Sequence, residues 1–296
     1  MHLQGESYVS PATGRTIHRQ VFLPDGKPPA GHVILLHGLG DHLGCHLRAA
    51  ELVCARGYTA VGIDWPGHGR SEGKRGHING LAETFSLLDE TLAWIEKESP
   101  SPPGKTAIYG HSTGGFVLLH YLRHRLGGTQ QGKVGDSTLF DWIWLSSPLL
   151  RPDHDQPRLL VWAAPLLAKL APNFTLDTKV RPERTRHTRG DESTAAGREM
   201  DGCHHWVNAA FGADLVHHGR EINEAGPMIT DPVRVLLTQG EEDTICPPEF
   251  SREFFDQIAT SQKTYASLPG MRHEVLREPN NKPAIEAIEN WLSDLN

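Results

Sequence analysis

One segment decides the fold: residues 106–115, Thr-Ala-Ile-Tyr-Gly-His-Ser-Thr-Gly-Gly. An apolar, strand-like run, residues 106–109, stands before Gly-x-Ser-x-Gly, and a helix-like apolar run, residues 116–119, follows it. This order is typical of a tight strand-turn-helix that lifts a serine hydroxyl clear of a sheet. Glycines at 110 and 114 leave room where a Cβ would clash. The pentapeptide alone is common in glycine-rich chains, so the flanking strand and helix carry the prediction that Ser112 is a nucleophile.

Strand-like and helix-like segments alternate on both sides of this turn. Strands are predicted at residues 6–10, 16–23, 32–37, 59–63, 106–109, 142–145, 233–238 and 263–268. Helices are predicted up to about residue 56 and at residues 81–97, 113–125, 248–260 and 284–295. This alternation indicates a mainly parallel sheet with helices on both faces. Residues 148–229 break it, so we expect an α/β core of residues 1–147 and 230–296 with a helical cap inserted at 148–229.

Length, charge and the chain start narrow the functional classes. The 296 residues suffice for one large α/β domain or a core with an insertion. The formal charge of −7 gives no electrostatic reason to bind nucleic acid. Residues 1–10 lack a secretory pattern, and no apolar run approaches the roughly 18 residues that span a bilayer. We therefore expect a cytoplasmic protein that acts on a small molecule, and no feature specifies its oligomeric state.

The serine needs a histidine to take its proton, and that histidine needs an acceptor on its other nitrogen. After the predicted strand 233–238 the chain continues through Gln-Gly-Glu-Glu to Asp243, and after strand 263–268 through Pro-Gly-Met-Arg to His273. Both positions follow strands at the same sheet edge as Ser112, in the order serine, acid, histidine. We predict Asp243 as the acid and His273 as the base.

Two neighbouring carboxylates compete for the acid role. Glu241 and Glu242 directly precede Asp243 in the same loop. Asp243 is preferred because a proline-containing turn, residues 244–248, begins immediately after it and places it deepest in the loop.

Backbone N–H groups are the expected donors to the tetrahedral oxygen. In strand-turn-helix sites of this kind, one donor follows the nucleophile and the other lies in the loop after an earlier strand. These positions are Thr113 and Leu39, and Gly38 and Gly40 allow the second loop to turn its N–H inward. Each such donor typically lowers the barrier by about 2.7–4 kcal/mol.

Together these residues resemble a known family. The similarity is carried by residues 37–42 (HGLGDH), 64–73 (DWPGHGRSEG), 110–115 (GHSTGG), 239–243 (QGEED) and 269–275 (PGMRHEV). They look like the monoacylglycerol lipase and lysophospholipase group, of serine aminopeptidase type, in the α/β-hydrolase superfamily. The resemblance implies the α/β-hydrolase fold, the same triad and oxyanion roles, an acyl-enzyme intermediate, and hydrolysis of lipid-like monoesters beneath a mobile cap.

Two departures from the group leave the substrate open. Thr113 stands where the group usually has methionine, and residues 214–217, Asp-Leu-Val-His, lack the proline of a related Asp-Pro-Leu stretch. Acyl-chain length and head group are therefore not predicted. The same residues could also serve an aminopeptidase, a thioesterase or a perhydrolase, and a catalytically inactive binding module is the alternative from another class.

Three features of the cap and the cysteines remain. Three interpretations of the apolar run 159–170 stay open: it lines an acyl pocket, it packs on the core as a cap helix, or it makes peripheral membrane contact, for which the single Lys169 gives little attraction. The charged run 181–199 is predicted to face solvent. The paired histidines at 204–205 and 217–218 come without a zinc motif, and the four cysteines lack a CxxC pair. We expect reduced thiols, no metal and no cofactor.

Overall fold

The computed structural model describes residues 1–26, 29–98, 106–127, 139–187, 202–219 and 221–295. Its centre is an eight-stranded sheet formed by β1 (His2–Val9), β2 (Thr16–Leu23), β3 (Gly31–Leu36), β4 (Tyr58–Ile63), β5 (Thr106–His111), β6 (Trp142–Ser146), β9 (Arg234–Gly240) and β10 (Lys263–Leu268). The strand order is β1-β2-β4-β3-β5-β6-β9-β10. The β1-β2 and β2-β4 pairs are antiparallel, and all other pairs are parallel.

Helices cover both faces of the sheet. They are α1 (Leu47–Cys54), α2 (Leu81–Glu98), α3 (Thr113–Gly127), α7 (Pro248–Gln257) and α8 (Lys282–Ser293). Successive strand side chains point to opposite faces, so Ile34 packs with α2, α3 and α7, whereas Val33 packs with α1 and α8. Burial on both faces explains why the central strands are continuous apolar runs, as predicted for a parallel sheet.

Element boundaries differ from the prediction mainly where burial gives no pattern. Strand β1 starts at His2, four residues before the predicted start, because this edge strand is exposed along most of its length and shows no apolar alternation. Helix α7 ends at Gln257 instead of residue 260, since Ile258 is extended and buried. The region predicted as one helix up to residue 56 is a short 3₁₀ helix, Leu43–His46, followed by α1.

The segment between β6 and β9 lies over the carboxyl edge of the sheet. Its described elements are α4 (Arg158–Leu170), β7 (Thr175–Asp177), α5 (Pro182–Thr185), β8 (Trp206–Asn208), α6 (Ala209–His218) and a 3₁₀ helix, Ile222–Met228. Strands β7 and β8 form a separate antiparallel pair. The prediction of a segment without strands missed this pair, because three-residue strands are too short to show alternation.

Two further observations concern the cap and membranes. Arg186, in the run predicted to face solvent, is buried and pairs with Glu274 at 2.6 Å, so that prediction is wrong there; residues 188–199 lie outside the described residues.

Among the described helices, none combines the length and the hydropathy needed to cross a bilayer.

Candidate active site

Ser112 occupies a strained turn between β5 and α3. Its φ is +51°, in the left-handed region that non-glycine residues rarely adopt. Backbone hydrogen bonds hold it there: its N–H donates to the Ser146 carbonyl at 3.0 Å, and its own carbonyl accepts from Phe116 and Leu149 at 3.2 and 3.0 Å. The strain is thus stabilised by the neighbouring strand and helix, a situation characteristic of functional residues.

The flanking glycines permit the tight turn. A Cβ on Gly110 would lie 2.8 Å from the Gly115 Cα, and a Cβ on Gly114 would lie 2.2 Å from the Leu36 carbonyl oxygen. Both contacts are with backbone atoms that have no room to move. The close approach of β3, β5 and α3 therefore requires glycine at these two positions.

His273 and Asp243 lie next to each other in the loops after β10 and β9. The His273 Nδ1 is 2.8 Å from the Asp243 Oδ2, and both residues are buried. Burial alone would lower the pKa of His273, but the adjacent Asp243 carboxylate outweighs it and raises the pKa well above its usual value. The ring is thereby oriented with Nε2 as the nitrogen available to a substrate or nucleophile.

The Asp243 carboxylate is held by four hydrogen bonds. Its Oδ1 accepts from the backbone N–H groups of Ile245 and Cys246 at 2.8 and 2.9 Å, and its Oδ2 accepts from Gln239 Nε2 at 3.1 Å as well as from His273. Ser251 in turn donates to Gln239 at 2.7 Å. Sequence reasoning did not identify Gln239, since nothing local indicates that a strand residue reaches into the loop.

The two glutamates beside Asp243 point elsewhere. Glu241 accepts a hydrogen bond from Ser267 at 2.7 Å, and Glu242 lies 3.5 Å from His187 near the surface. Only Asp243 of the three is buried against His273.

The loop after β3 runs directly beside Ser112. A Cβ on Gly38 would lie 3.3 Å from the Ser112 Cβ, so Leu39 follows within reach of the reacting centre. Thr113 is the first residue of α3, and an N–H at that position has no acceptor within its own helix. Leu39 and Thr113 thus both lie close to Ser112 along the chain path, and the role of their N–H groups as an oxyanion hole stays a prediction.

A cavity of about 220 Å³ opens over Ser112 and His273. Apolar side chains of α4 and α6 form one wall: Leu160, Val161, Ala164, Leu167, Ala213, Leu215 and Val216. The opposite face of α4 is exposed, with Trp162 at 76% and Leu159 at 75%. The apolar run of the cap thus lines the cavity along one side of its helix and leaves the other side uncovered.

A cluster of histidines surrounds the site and was not identified from the sequence. The His111 ring lies 4.8 Å from that of His273 and 5.3 Å from that of His46, centroid to centroid. Burial and the neighbouring His273 lower the pKa of His111 well below its usual value, so it is neutral. His46 bridges the Asp41 carboxylate at 2.7 Å and the Tyr109 hydroxyl at 3.1 Å.

Three groups among the described residues bring possible metal ligands within 4.8 Å of one another: His42, Cys45 and Cys203; His120, His218 and Glu221; and Asp243, Cys246 and His273. The last is the candidate catalytic pair with the buried Cys246 thiol, which interacts with both His273 and Ser112. Of the adjacent histidines 217 and 218, only His218 belongs to one of these groups. The expectation that the protein needs no metal stays a prediction.

Comparison with known proteins identifies the family. The family model described as serine aminopeptidase, S33, matches residues 27–280. The chain belongs to this family. The chain is also 28% identical over 280 residues to a monoacylglycerol lipase of Mycolicibacterium smegmatis. The match covers 94% of this chain and 93% of the relative.

Other relatives agree over nearly the whole length. The rat (Rattus norvegicus) monoglyceride lipase is 26% identical, over 95% of the S33 chain and 88% of its own. The crystal structure of a Paleococcus ferrophilus monoacylglycerol lipase matches with a TM-score of 0.77 and 26% identity, over 100% of both chains. The resemblance found in the sequence is confirmed: this S33 member is a hydrolase of the α/β-hydrolase fold, similar to monoacylglycerol lipases.

Proposed function

We propose that this S33 hydrolase cleaves carboxylic esters through an acyl-enzyme on Ser112, with monoacylglycerol-like or lysophospholipid-like monoesters as substrates. The observation that carries the proposal is the joint placement of Ser112 and His273 on the floor of one cavity, with Asp243 behind the histidine. The similarity to monoacylglycerol lipases supports the substrate class.

In the proposed mechanism, the Ser112 hydroxyl attacks the ester carbonyl while His273 Nε2 takes its proton. The N–H groups of Leu39 and Thr113 donate to the developing oxyanion. Asp243 stabilises the imidazolium, which then protonates the departing alcohol and leaves an acyl group on Ser112. Water, deprotonated by His273, releases the carboxylic acid and restores the enzyme.

The apolar wall of the cavity supports a lipid-like acyl group. The side chains of α4 and α6 that face the cavity are aliphatic, and burial of each acyl methylene against them contributes about 0.8 kcal/mol. The uncovered face of α4 suits peripheral contact with aggregated lipid, although Lys169 alone adds little attraction to an anionic surface.

The pairing of acidic side chains around the cavity favours an ester over a peptide substrate. An aminopeptidase needs a carboxylate to hold the free amino group of its substrate. The four acids along the cavity, however, are each next to a basic partner: Asp41 with His46, Asp155 with Arg184, Asp177 with Arg181, and Glu274 with Arg186 and Arg277. Each of these described carboxylates already has a positive or basic neighbour, which weakens it as an anchor for an ammonium group.

The test is a substrate panel on wild type and Ser112→Ala. It contains monoacylglycerols and lysophospholipids of varied chain length, a p-nitrophenyl ester, an acyl thioester, peracid formation from acetate and peroxide, and an aminoacyl-p-nitroanilide. We expect monoesters to give the highest kcat/KM and Ser112→Ala to lose that activity. A higher kcat/KM for the anilide, the thioester or peracid formation would overturn the substrate class, and undiminished ester hydrolysis by Ser112→Ala would overturn the nucleophile.

A further inference from the structure

Two cysteines from distant parts of the chain meet between core and cap. The Sγ atoms of Cys45 and Cys203 are 3.6 Å apart, although 158 positions separate them. Cys45 lies in the 3₁₀ helix Leu43–His46, directly after the loop that carries Leu39, and Cys203 lies in the cap three residues before β8. A disulfide needs an S–S distance of about 2.05 Å, so a movement of about 1.5 Å would join them.

The surroundings of the pair favour thiol chemistry. His42 hydrogen-bonds to Cys45, and its Nδ1 accepts from the Gly44 N–H at 3.1 Å, so the proton of the neutral ring sits on Nε2. Arg277 lines the same small cavity as Cys45 and interacts electrostatically with both thiols. A positive or proton-donating group beside a thiol pair can stabilise the negative charge that develops on a sulfur during thiol–disulfide exchange.

The His42 tautomer argues against a metal at the same place. A metal bound at Nε2 would require the proton to sit on Nδ1 and to be donated to an acceptor. The Nδ1 instead faces the Gly44 N–H, itself a donor. The nearby Arg277 guanidinium adds a positive charge that would repel a cation.

We propose that Cys45 and Cys203 form a reversible disulfide that fastens the cap to the loop carrying Leu39, in exchange with low-molecular-weight disulfides. Cys203 is the entry thiol, since it is partly exposed whereas Cys45 is buried. The hydrogen bond to Cys203 and burial raise the pKa of Cys45, so Cys45 stays a protonated thiol until the second step of the exchange.

The exchange proceeds in two balanced steps. The Cys203 thiolate attacks one sulfur of a disulfide RSSR, forms a mixed disulfide and releases RS⁻. Cys45 then gives up its proton and attacks the Cys203 sulfur, which releases the second RS⁻. The protein loses two hydrogens, and the oxidant leaves as two RSH.

The position of the bond links it to the cavity. The His204 N–H donates to the Gly40 carbonyl at 2.8 Å, and a Cβ on Gly40 would lie 2.0 Å from the His204 carbonyl oxygen, so this cap segment already rests on the loop. Strand β8 continues from it into α6, which lines the cavity. A disulfide would hold the α6 end of the cap against the core. Its effect on catalysis rests on the proposed function, whereas formation of the bond does not.

The test incubates the folded wild type, Cys203→Ser and Cys54→Ser with glutathione disulfide, followed by alkylation, intact mass and peptide mapping. Cys54 is the matched control, because it is buried in the neighbouring helix α1 with its thiol on the Phe22 carbonyl, away from Cys203. We expect wild type and Cys54→Ser to lose two hydrogens and to yield a peptide pair joined at Cys45 and Cys203. Cys203→Ser should yield no such pair.

Several outcomes overturn the proposal. A glutathione adduct that persists on Cys203 would show that Cys45 does not reach it, and a disulfide between other cysteines would show the wrong pair. Stoichiometric zinc in the purified protein, with both thiols protected from alkylation until a chelator is added, would assign the cluster to a metal.

A second measurement tests the fastening itself. Because the bond closes a loop of more than a hundred residues, the oxidised wild type should melt about 5–10 °C above the reduced form. Addition of dithiothreitol should reverse the shift, and Cys203→Ser should show none. An unchanged Tm in a protein with the mapped disulfide would contradict the fastening of cap to core. These readouts need no substrate, so they stand if the proposed ester hydrolysis fails.

Discussion

Core and cap hold their residues in different ways. In the core, β3, β5 and β6 are buried almost throughout. Ser112 directly follows β5, and Asp243 and His273 lie in the loops after β9 and β10. In the cap, α4 contributes no buried residue, and β7 and β8 are three residues long. The buried core strands thus hold the candidate catalytic residues in place. The cap, in contrast, supplies an apolar cavity wall whose side chains can be substituted with little effect on the core. Substitutions in the two regions should accordingly affect different quantities.

The largest expected effect is that of Asp243→Asn in the core. The amide cannot stabilise the imidazolium and favours the wrong tautomer, so kcat/KM for a monoester should fall about 10⁴-fold. The matched control is Glu242→Gln in the same loop, whose side chain is about half exposed and near His187; it should stay within about twofold of wild type. A loss in the control equal to that in Asp243→Asn would mean that the loop, not the carboxylate on His273, is responsible.

A pair of glycine substitutions compares the stability of the two regions. Gly114→Ala places a methyl group 2.2 Å from the Leu36 carbonyl oxygen, and we expect a loss of about 3 kcal/mol or more in the free energy of unfolding. Gly212→Ala, inside α6, meets nothing closer than 3.8 Å and should gain about 0.5–1 kcal/mol. Denaturant titration measures both, and equal destabilisation by the two would remove the distinction between core and cap.

The pH profile tests the electrostatics of the core. Only neutral His273 accepts the serine proton, and Asp243 raises the pKa of His273, so kcat/KM should climb about tenfold per pH unit at low pH with a midpoint above 6.5. In Asp243→Asn, burial without the carboxylate should move the midpoint of the residual activity to lower pH. A wild-type midpoint at or below 6.5 would contradict the assigned pairing.

The smallest effect is expected in the cap wall. Leu167 lines the cavity, while its neighbour Leu166 is 55% exposed on the other face of α4. Leu167→Ala should lower kcat/KM about tenfold for a long-chain monoester that is assayed below its critical micelle concentration. The kcat/KM for an acetyl ester should not change. Leu166→Ala should change neither by more than about twofold. Equal effects of both substitutions on monomeric substrate would place the acyl chain elsewhere.

Features that rest on a local sequence pattern could be predicted, whereas contacts between distant residues could not. The strands before Ser112 and Asp243 are apolar runs, and the strand before His273 was predicted with its observed bounds from the alternation of strands and helices. The order of these strands and the convergence of their loops at one edge could therefore be deduced locally. The role of Gln239 beneath Asp243 could not, because it depends on a contact made in the fold. The same holds for the ring of His111 between His46 and His273, and for Cys45 against Cys203. Such contacts join residues far apart in the chain and leave no pattern at any one of them.

The central claim is that Ser112 is the residue acylated during turnover. Its most direct test is reaction of the wild-type protein with a fluorophosphonate, followed by peptide mass spectrometry to locate the adduct. We predict one adduct per chain, on Ser112, with loss of ester hydrolysis in proportion to labelling. An adduct on another residue, or full labelling of Ser112 that leaves hydrolysis intact, would contradict the account.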